Sequence, residues 1–305
     1  MGIATREAYG QALKELAENK DIVVLDADLG KATKSISFKE VAPNRFFDMG
    51  IAEGDMIGTA AGLATCGKIP FASTFAIFAS GRAYEQIRNS VAYPNLNVKI
   101  AATHAGVTVG EDGGSHQAIE DISLMRGIPN MVVINPADGI EAKKAIFSAV
   151  DYNGPIYIRL GRATTEDIHN DDYNFKIGKG EILRQGSDVA IIATGIMVSK
   201  AIKSAELLSE EGIEAMVVNI STIKPIDSEL IVEVAKNTGK VVTVEEHSVI
   251  GGLGSAVTEV LSEKYPVVVK RIGINDEFGQ SGNPESLLNY YGLTVENIVS
   301  TVKSF

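Results

Sequence analysis

The stretch FFDMGIAEGDMIGTAAGLA, residues 46 to 64, sets one glutamate, Glu53, among glycines, alanines, methionines and isoleucines. Burying an unpaired carboxylate costs several kcal/mol even after relaxation. An acid in this company therefore either reaches water or answers a group that needs it. Read as a helix, the segment puts Glu53 on the face of Ile57, Ala60, Ala61 and Ala64, which turns it inward. A ring nitrogen that carries a proton beside the carboxylate would offset the cost of burial. Phe75 and Phe78, in PFASTFAIF, would be neighbours on one helical face. Core packing is the default account of such a pair; the functional one is that the rings hold a flat heteroaromatic group. The loop THAGVTVGEDGGSHQAIED, 103 to 121, gathers His104, Glu111, Asp112 and His116 among glycines. These donors and acceptors suit a hydroxylated or phosphorylated substrate better than a metal, for which the histidines have no recognised spacing.

The elements that would position these groups alternate along the chain. Strand-like runs IVVL at 22, VKIAA at 98, MVVI at 131 and IYIRL at 156 are separated by helical patterns, as in a parallel α/β sheet. Residues 163 to 187 lose this periodicity and gain Asp, Asn and Gly, and alternation resumes with VAIIAT at 189, AMVVNI at 215, VVTVEE at 241 and VVVKRIGI at 267. The expectation is two parallel-sheet α/β domains, 1–165 and 188–305, joined by a linker over 166–187. Ligands bind outside the carboxyl ends of parallel strands, which brings Asp26, Asp28, His104, Asp138, Arg159 and Arg162 towards one rim. Singly, Asp138 reads as a helix N-cap and each arginine as a surface ion pair. GGLGSAV, 251 to 257, reads as a tight turn with close packing, because the three-glycine dinucleotide spacing is absent.

Composition narrows the partners. Lysine and arginine number 28 against 39 aspartates and glutamates, a net charge of −11 without a basic cluster, which argues against nucleic acid. No apolar run approaches the roughly 20 residues of a membrane span. The first residues read as an amphipathic helix rather than a leader. The single cysteine, Cys66, rules out an intrachain disulfide framework and reads as a small buried filler. These features together point to a cytoplasmic protein.

GIAEGDMIGTAAGLA, FASTFAIF, THAGVTVGEDGGSHQ and VVTVEEHSVIGGLGS, in that order, resemble the carboxyl-terminal half of transketolase over essentially the whole chain. The resemblance implies a pyrimidine-binding domain for thiamine diphosphate followed by a transketolase C-terminal-like domain. A Gly-Asp-Gly motif with a downstream asparagine, which holds Mg²⁺ and the cofactor's phosphates in the family, has no counterpart here. The implied protein is the small-chain half of a split transketolase. It would transfer a two-carbon ketol unit between sugar phosphates and need an N-terminal subunit that binds Mg²⁺. An α2β2 heterotetramer containing a homodimer of this chain is the implied assembly.

By the same resemblance Glu53 contacts the aminopyrimidine and promotes its imino form, and Phe75 and Phe78 flank that ring. His104, Asp112 and His116 line the sugar channel, and His104 and His116 count as catalytic. Arg6 and Arg162 hold the sugar phosphate, and Thr33 or Ser35 is a further phosphate contact. Gly81 stands where many relatives carry another aromatic, which leaves Tyr84 or the partner to line that side. No metal ligand is expected in this chain. The alternatives are a 2-oxoacid dehydrogenase beta subunit, a 1-deoxyxylulose-5-phosphate synthase-like protein, or a catalytically silent regulatory subunit.

Overall fold

The computed structural model describes residues 2–305. Its strands in chain order are β1 (Ile22–Asp26), β2 (Phe46–Asp48), β3 (Ile69–Phe75), β4 (Lys99–Thr103), β5 (Val132–Ile134), β6 (Ile156–Arg159), β7 (Glu181–Arg184), β8 (Val189–Ala193), β9 (Ala215–Asn219), β10 (Thr222–Lys224), β11 (Lys240–Ser248) and β12 (Val268–Ile274). They form a seven-stranded sheet in the order β10-β5-β6-β4-β3-β1-β2 and a five-stranded sheet in the order β12-β11-β8-β9-β7. Both are parallel except at one edge, where β10 and β7 run antiparallel. This is the two-sheet α/β plan expected from the alternation.

Strands β1, β4 and β6 are buried at every residue, so they read as continuous apolar runs rather than alternating ones. Helices Thr5–Leu16 and Gly139–Asp151 pack on one face of the first sheet through Ala8, Leu13, Ala142 and Ile146. Helix Glu53–Thr65 covers the other face through Met56, Ile57, Ala60 and Ala61. From β1 the chain moves out to β2, then crosses back to place β3 on the opposite side. A reversal of strand order opens a crevice at the carboxyl ends of β1 and β3.

Three local features differ from the sequence reading. Glu181–Arg184, inside the segment read as a connector, pairs with β9 as an edge strand. Thr222–Lys224, from the second half, adds itself to β5 of the first sheet, so the halves share a sheet edge. Cys66 is exposed rather than buried, because it closes the helix Glu53–Thr65 at its C-cap, beyond the packed face.

Candidate active site

Glu53 is the first residue of its helix and is 4% exposed. Asp55 shares the first turn, and both acids favour the positive end of the helix. The buried carboxylate is ion-paired: Arg82 Nη1 donates to Oε1 at 2.9 Å, while half of the Arg82 side chain remains in solvent. Oε2 is left to accept another donor. Arg82 also lies over the Phe78 ring at 4.0 Å. Sequence reasoning missed this arginine; its signal is its place in FASGR, four residues after Phe78.

Phe75 and Phe78 are neighbours, but not as two residues of one helix. Phe75 ends β3 and Phe78 opens a π-helical turn, Phe78–Arg82, which is followed by a second at Ile87–Ala92. Wide turns of this kind recur at functional sites because they re-aim side chains. The two rings stack at 5.8 Å and 12°. Phe75 stacks in turn on His104 at 3.9 Å, and His116 meets Phe78 edge-on at 5.4 Å. The carboxylate, the phenyl pair and both histidines thus form one cluster at the carboxyl ends of β3 and β4.

His104 follows β4 at φ 56°, a left-handed conformation that costs a non-glycine residue on the order of 1 kcal/mol. Its Nε2 lies 3.0 Å from Arg6 Nη1 and its Nδ1 3.0 Å from Thr103 Oγ1. A guanidinium can only donate, so Nε2 accepts and the proton resides on Nδ1. The ring is therefore neutral. Burial first, then the charges of Arg6, Arg162, His116 and Lys34, lower its pKa to about 3. Arg6 also donates to the carbonyl of Ala32, and its Nε–H is buried without an acceptor. Arg162 donates to the carbonyl of Val109 and lies 3.6 Å from Glu111. The orphan donor and three nearby cations describe an anion pocket with an unfilled hydrogen bond.

These histidines carry a pH dependence. His247, fully buried on β11, also has its pKa lowered by burial, to about 4. A depressed histidine stays neutral in the fold while the unfolded chain takes up a proton below pH 6.5, so stability is lost as pH falls. Between neutral pH and pH 5 each such histidine costs about 2 kcal/mol. Urea unfolding of His247→Gln should therefore show the stability gap to wild type narrowing by about 2 kcal/mol between pH 7.5 and pH 5.

Other expected site residues stand elsewhere. Thr33 and Ser35 do not offer hydroxyls to a phosphate: both are fully buried and both donate to Asp26 Oδ2 at 2.7 Å. With the Leu29 amide on Oδ1 at 2.6 Å, Asp26 ties down the turn that carries Ala32 and Lys34. Asp112 is exposed at the tip of its loop, and it is Glu111 that approaches Arg162. Tyr84 is half-buried and packs into the core beside the helix Glu53–Thr65, while Gly81 is exposed with open space where a side chain would stand. Asp138 is the N-cap of Gly139–Asp151, accepting from the Glu141 amide at 2.7 Å. Arg159 is not a surface arginine; it is buried against Asp121 at 2.9 Å. At GGLGSAV the helix N-terminus is filled by Glu245, which accepts from the amides of Leu253 and Gly254.

Comparison with known proteins fits this arrangement. The pyrimidine-binding domain of transketolase matches residues 1–166, and the transketolase C-terminal domain matches residues 178–298. This chain belongs to the transketolase family. A putative transketolase C-terminal section of Methanocaldococcus jannaschii is 54% identical, covering 97% of this chain and 94% of its own length. A 6-deoxy-6-sulfo-D-fructose transketolase subunit from a Clostridium species is 46% identical over 96% of this chain and 92% of its own. A solved split-gene transketolase, described as an inactive beta4 tetramer, superimposes with a TM-score of 0.92 at 56% identity, covering 100% of this chain and 98% of that one. The transketolase of Campylobacter jejuni superimposes at 0.84 with 26% identity, and there this chain spans 47% of the longer protein. The chain is a C-terminal transketolase unit, and its pyrimidine-binding domain implies thiamine diphosphate as the cofactor. Among the described residues no helix is long and apolar enough to cross a membrane.

Proposed function

We propose that this chain is the C-terminal subunit of a cytoplasmic split transketolase, which moves a two-carbon ketol unit between sugar phosphates in a complex with a separate N-terminal subunit. The carrying observation is Glu53: a carboxylate withdrawn from water, with one oxygen held by Arg82 and the other open, beside a stacked phenyl pair. That donor set fits an aminopyrimidine, whose ring nitrogen gains a proton next to a fixed carboxylate. When bound, thiamine diphosphate supplies the carbanion chemistry that lets a ketol unit leave one sugar and join another. Glu53 holds the proton at the ring nitrogen, and Phe75 and Phe78 press on the ring and exclude water.

The sugar is bound by the remaining groups. Arg6 offers its orphan Nε–H, and Arg162 a second guanidinium, to the phosphate of the substrate. Once Arg6 turns to phosphate, His104 Nε2 becomes free to accept from a sugar hydroxyl. His116 stands edge-on to Phe78 and Asp112 is exposed at the tip of its loop, and both are offered to the sugar hydroxyls. Binding energy gathered at the phosphate positions the reacting carbonyl.

We assign Mg²⁺ and the cofactor's diphosphate to the partner, because the Gly-Asp-Gly motif that holds them in the family has no counterpart in this sequence. Exposed Phe47 and Ile51 precede the Glu53 helix in sequence, and Gly58 and Gly62 leave open space along it, which suits a close subunit contact. The inactive state named for the 56% identical relative agrees with a chain that needs help. Alone, the chain should show no ketol transfer; mixed with a subunit carrying Gly-Asp-Gly it should turn over xylulose 5-phosphate with ribose 5-phosphate. Sedimentation of the active mixture should give two copies of each subunit. A complex that binds thiamine diphosphate yet transfers no ketol unit would contradict this reading. A second reading has support in 1-deoxy-D-xylulose-5-phosphate synthases that are 40% identical; it requires pyruvate turnover with release of CO₂, which the same mixture would reveal.

A further inference from the structure

Glu246 lies on β11, in the second sheet, and its carboxylate reaches across to the substrate loop of the first. Oε1 accepts from the backbone amide of Thr108 at 2.7 Å, across 138 positions of sequence. The side chain is fully enclosed, and burial raises its pKa while Arg159 and Thr108 pull it down. No cation holds the carboxylate directly. Arg159, the nearest, directs its Nε to Asp121 and its Nη2 to the main-chain carbonyls of Ala118 and Glu246. A buried acid whose hydrogen-bond partner is one loop residue is an expensive way to fill space, since an apolar side chain of similar volume is often neutral or better.

The loop that Glu246 grips is short; Gln117 Nε2 also holds it by donating to the carbonyls of Val107 at 3.3 Å and Gly110 at 3.1 Å, and the Gly106 amide donates to the carbonyl of Ala118, while the Thr108 amide is the group that Glu246 takes. Val107–Val109 forms a single 3-10 turn between two left-handed glycines, Gly106 at φ 80° and Gly110 at φ 89°. A Cβ on Gly106 would stand 2.3 Å from Glu246 Oε1, so the glycine is what lets the carboxylate approach. A cavity of about 20 Å³ lies against the contact, lined by Thr5, Thr108, Asn135, Arg159 and Glu246. That is room for one water and leaves little slack. Next along the turn, the Val109 carbonyl holds Arg162, and the loop begins at His104 and ends at His116.

The geometry points to Glu246 as a positioning residue for the phosphate-binding arginine: the second domain sets the Thr108 amide, the Thr108 amide sets the Val109 carbonyl, and that carbonyl aims Arg162. This assignment rests on the sugar-phosphate reading of the site, and it gives the second domain a part in substrate recognition without touching substrate. Glutamine keeps an acceptor at Oε1 and alanine does not, which separates the hydrogen bond from the charge. Gly106→Ala attacks the same contact from the other side.

The test uses the reconstituted complex with fructose 6-phosphate and with L-erythrulose, a ketose without phosphate, and follows amide exchange of residues 106–110 in the isolated chain. Glu246→Ala should raise KM for fructose 6-phosphate about tenfold or more, leave kcat on erythrulose within about twofold, and speed exchange across 106–110. Glu246→Gln should restore both readouts, and Gly106→Ala should reproduce the alanine defect without adding to it in the double variant. Equal losses on both ketoses with unchanged exchange would overturn the assignment, as would a glutamine variant as impaired as alanine. If Glu246→Ala does not fold, Glu246→Gln and Gly106→Ala decide the matter alone: wild-type selectivity in Gly106→Ala sinks it. A wild-type complex inert on fructose 6-phosphate would instead mark failure of the underlying function.

Discussion

Glu53→Gln should lower ketol transfer by the assembled enzyme about 10²- to 10⁴-fold, the range expected when a group that holds a proton in the reaction is lost. The chain itself should fold normally. Glutamine can still accept from Arg82 at Oε1, and Asp55 remains in the first turn of the helix. Loss of one acid at a helix N-terminus costs about 0.3–1 kcal/mol, too little to unfold a domain whose Met56, Ile57 and Ala60 are fully buried. Steady-state kinetics on the complex, with a thermal melt of the isolated chain as control, check both halves. Loss of activity together with loss of fold would make Glu53 a structural acid; full activity would remove it from the reaction.

Arg6→Met and Arg162→Met should each weaken the phosphorylated ketose about 10- to 100-fold in KM, which corresponds to about 1.5–3 kcal/mol for a hydrogen bond to a charged group. Arg6 should have the larger effect. Its guanidinium is already partly desolvated and carries an unused Nε–H, so phosphate binding there satisfies a donor that the protein leaves without an acceptor. Arg162 is more exposed and has Glu111 at 3.6 Å, which tempers its charge. Lysine at position 6 should recover little, since an ammonium cannot present two parallel donors. Measured on L-erythrulose, both methionine variants should stay near wild type. Equal losses with and without the phosphate would move these arginines out of the anion pocket.

The inward turn of Glu53 was legible because helical spacing alone aligns it with Ile57, Ala60 and Ala61, and those residues are buried. Its ion pair was not, because Arg82 approaches from 29 positions away and only the fold brings the two together. The three-residue spacing of Phe75 and Phe78 suggests a contact only if the segment is helical, whereas a strand end and a π-helical turn bring the rings together. Thr33 and Ser35 look like free hydroxyls in DADLGKATKS, yet Asp26 ends β1 directly beneath them and takes both. Arg82 and Arg159 meet partners 29 and 38 positions away, which no local pattern shows. The strand Thr222–Lys224 belongs to the same class, since nothing local tells a three-residue segment of the second half to pair with β5.

In the proposed function Glu53 shares a proton with the cofactor's ring. In the assembled complex, the exchange of the C2 proton of thiamine diphosphate for deuterium reports that sharing without any sugar present. Fast exchange in wild type, slowed about 100-fold or more in Glu53→Gln with cofactor affinity retained, is the predicted result. Exchange at the wild-type rate in a Glu53→Gln complex that has its cofactor bound would contradict it.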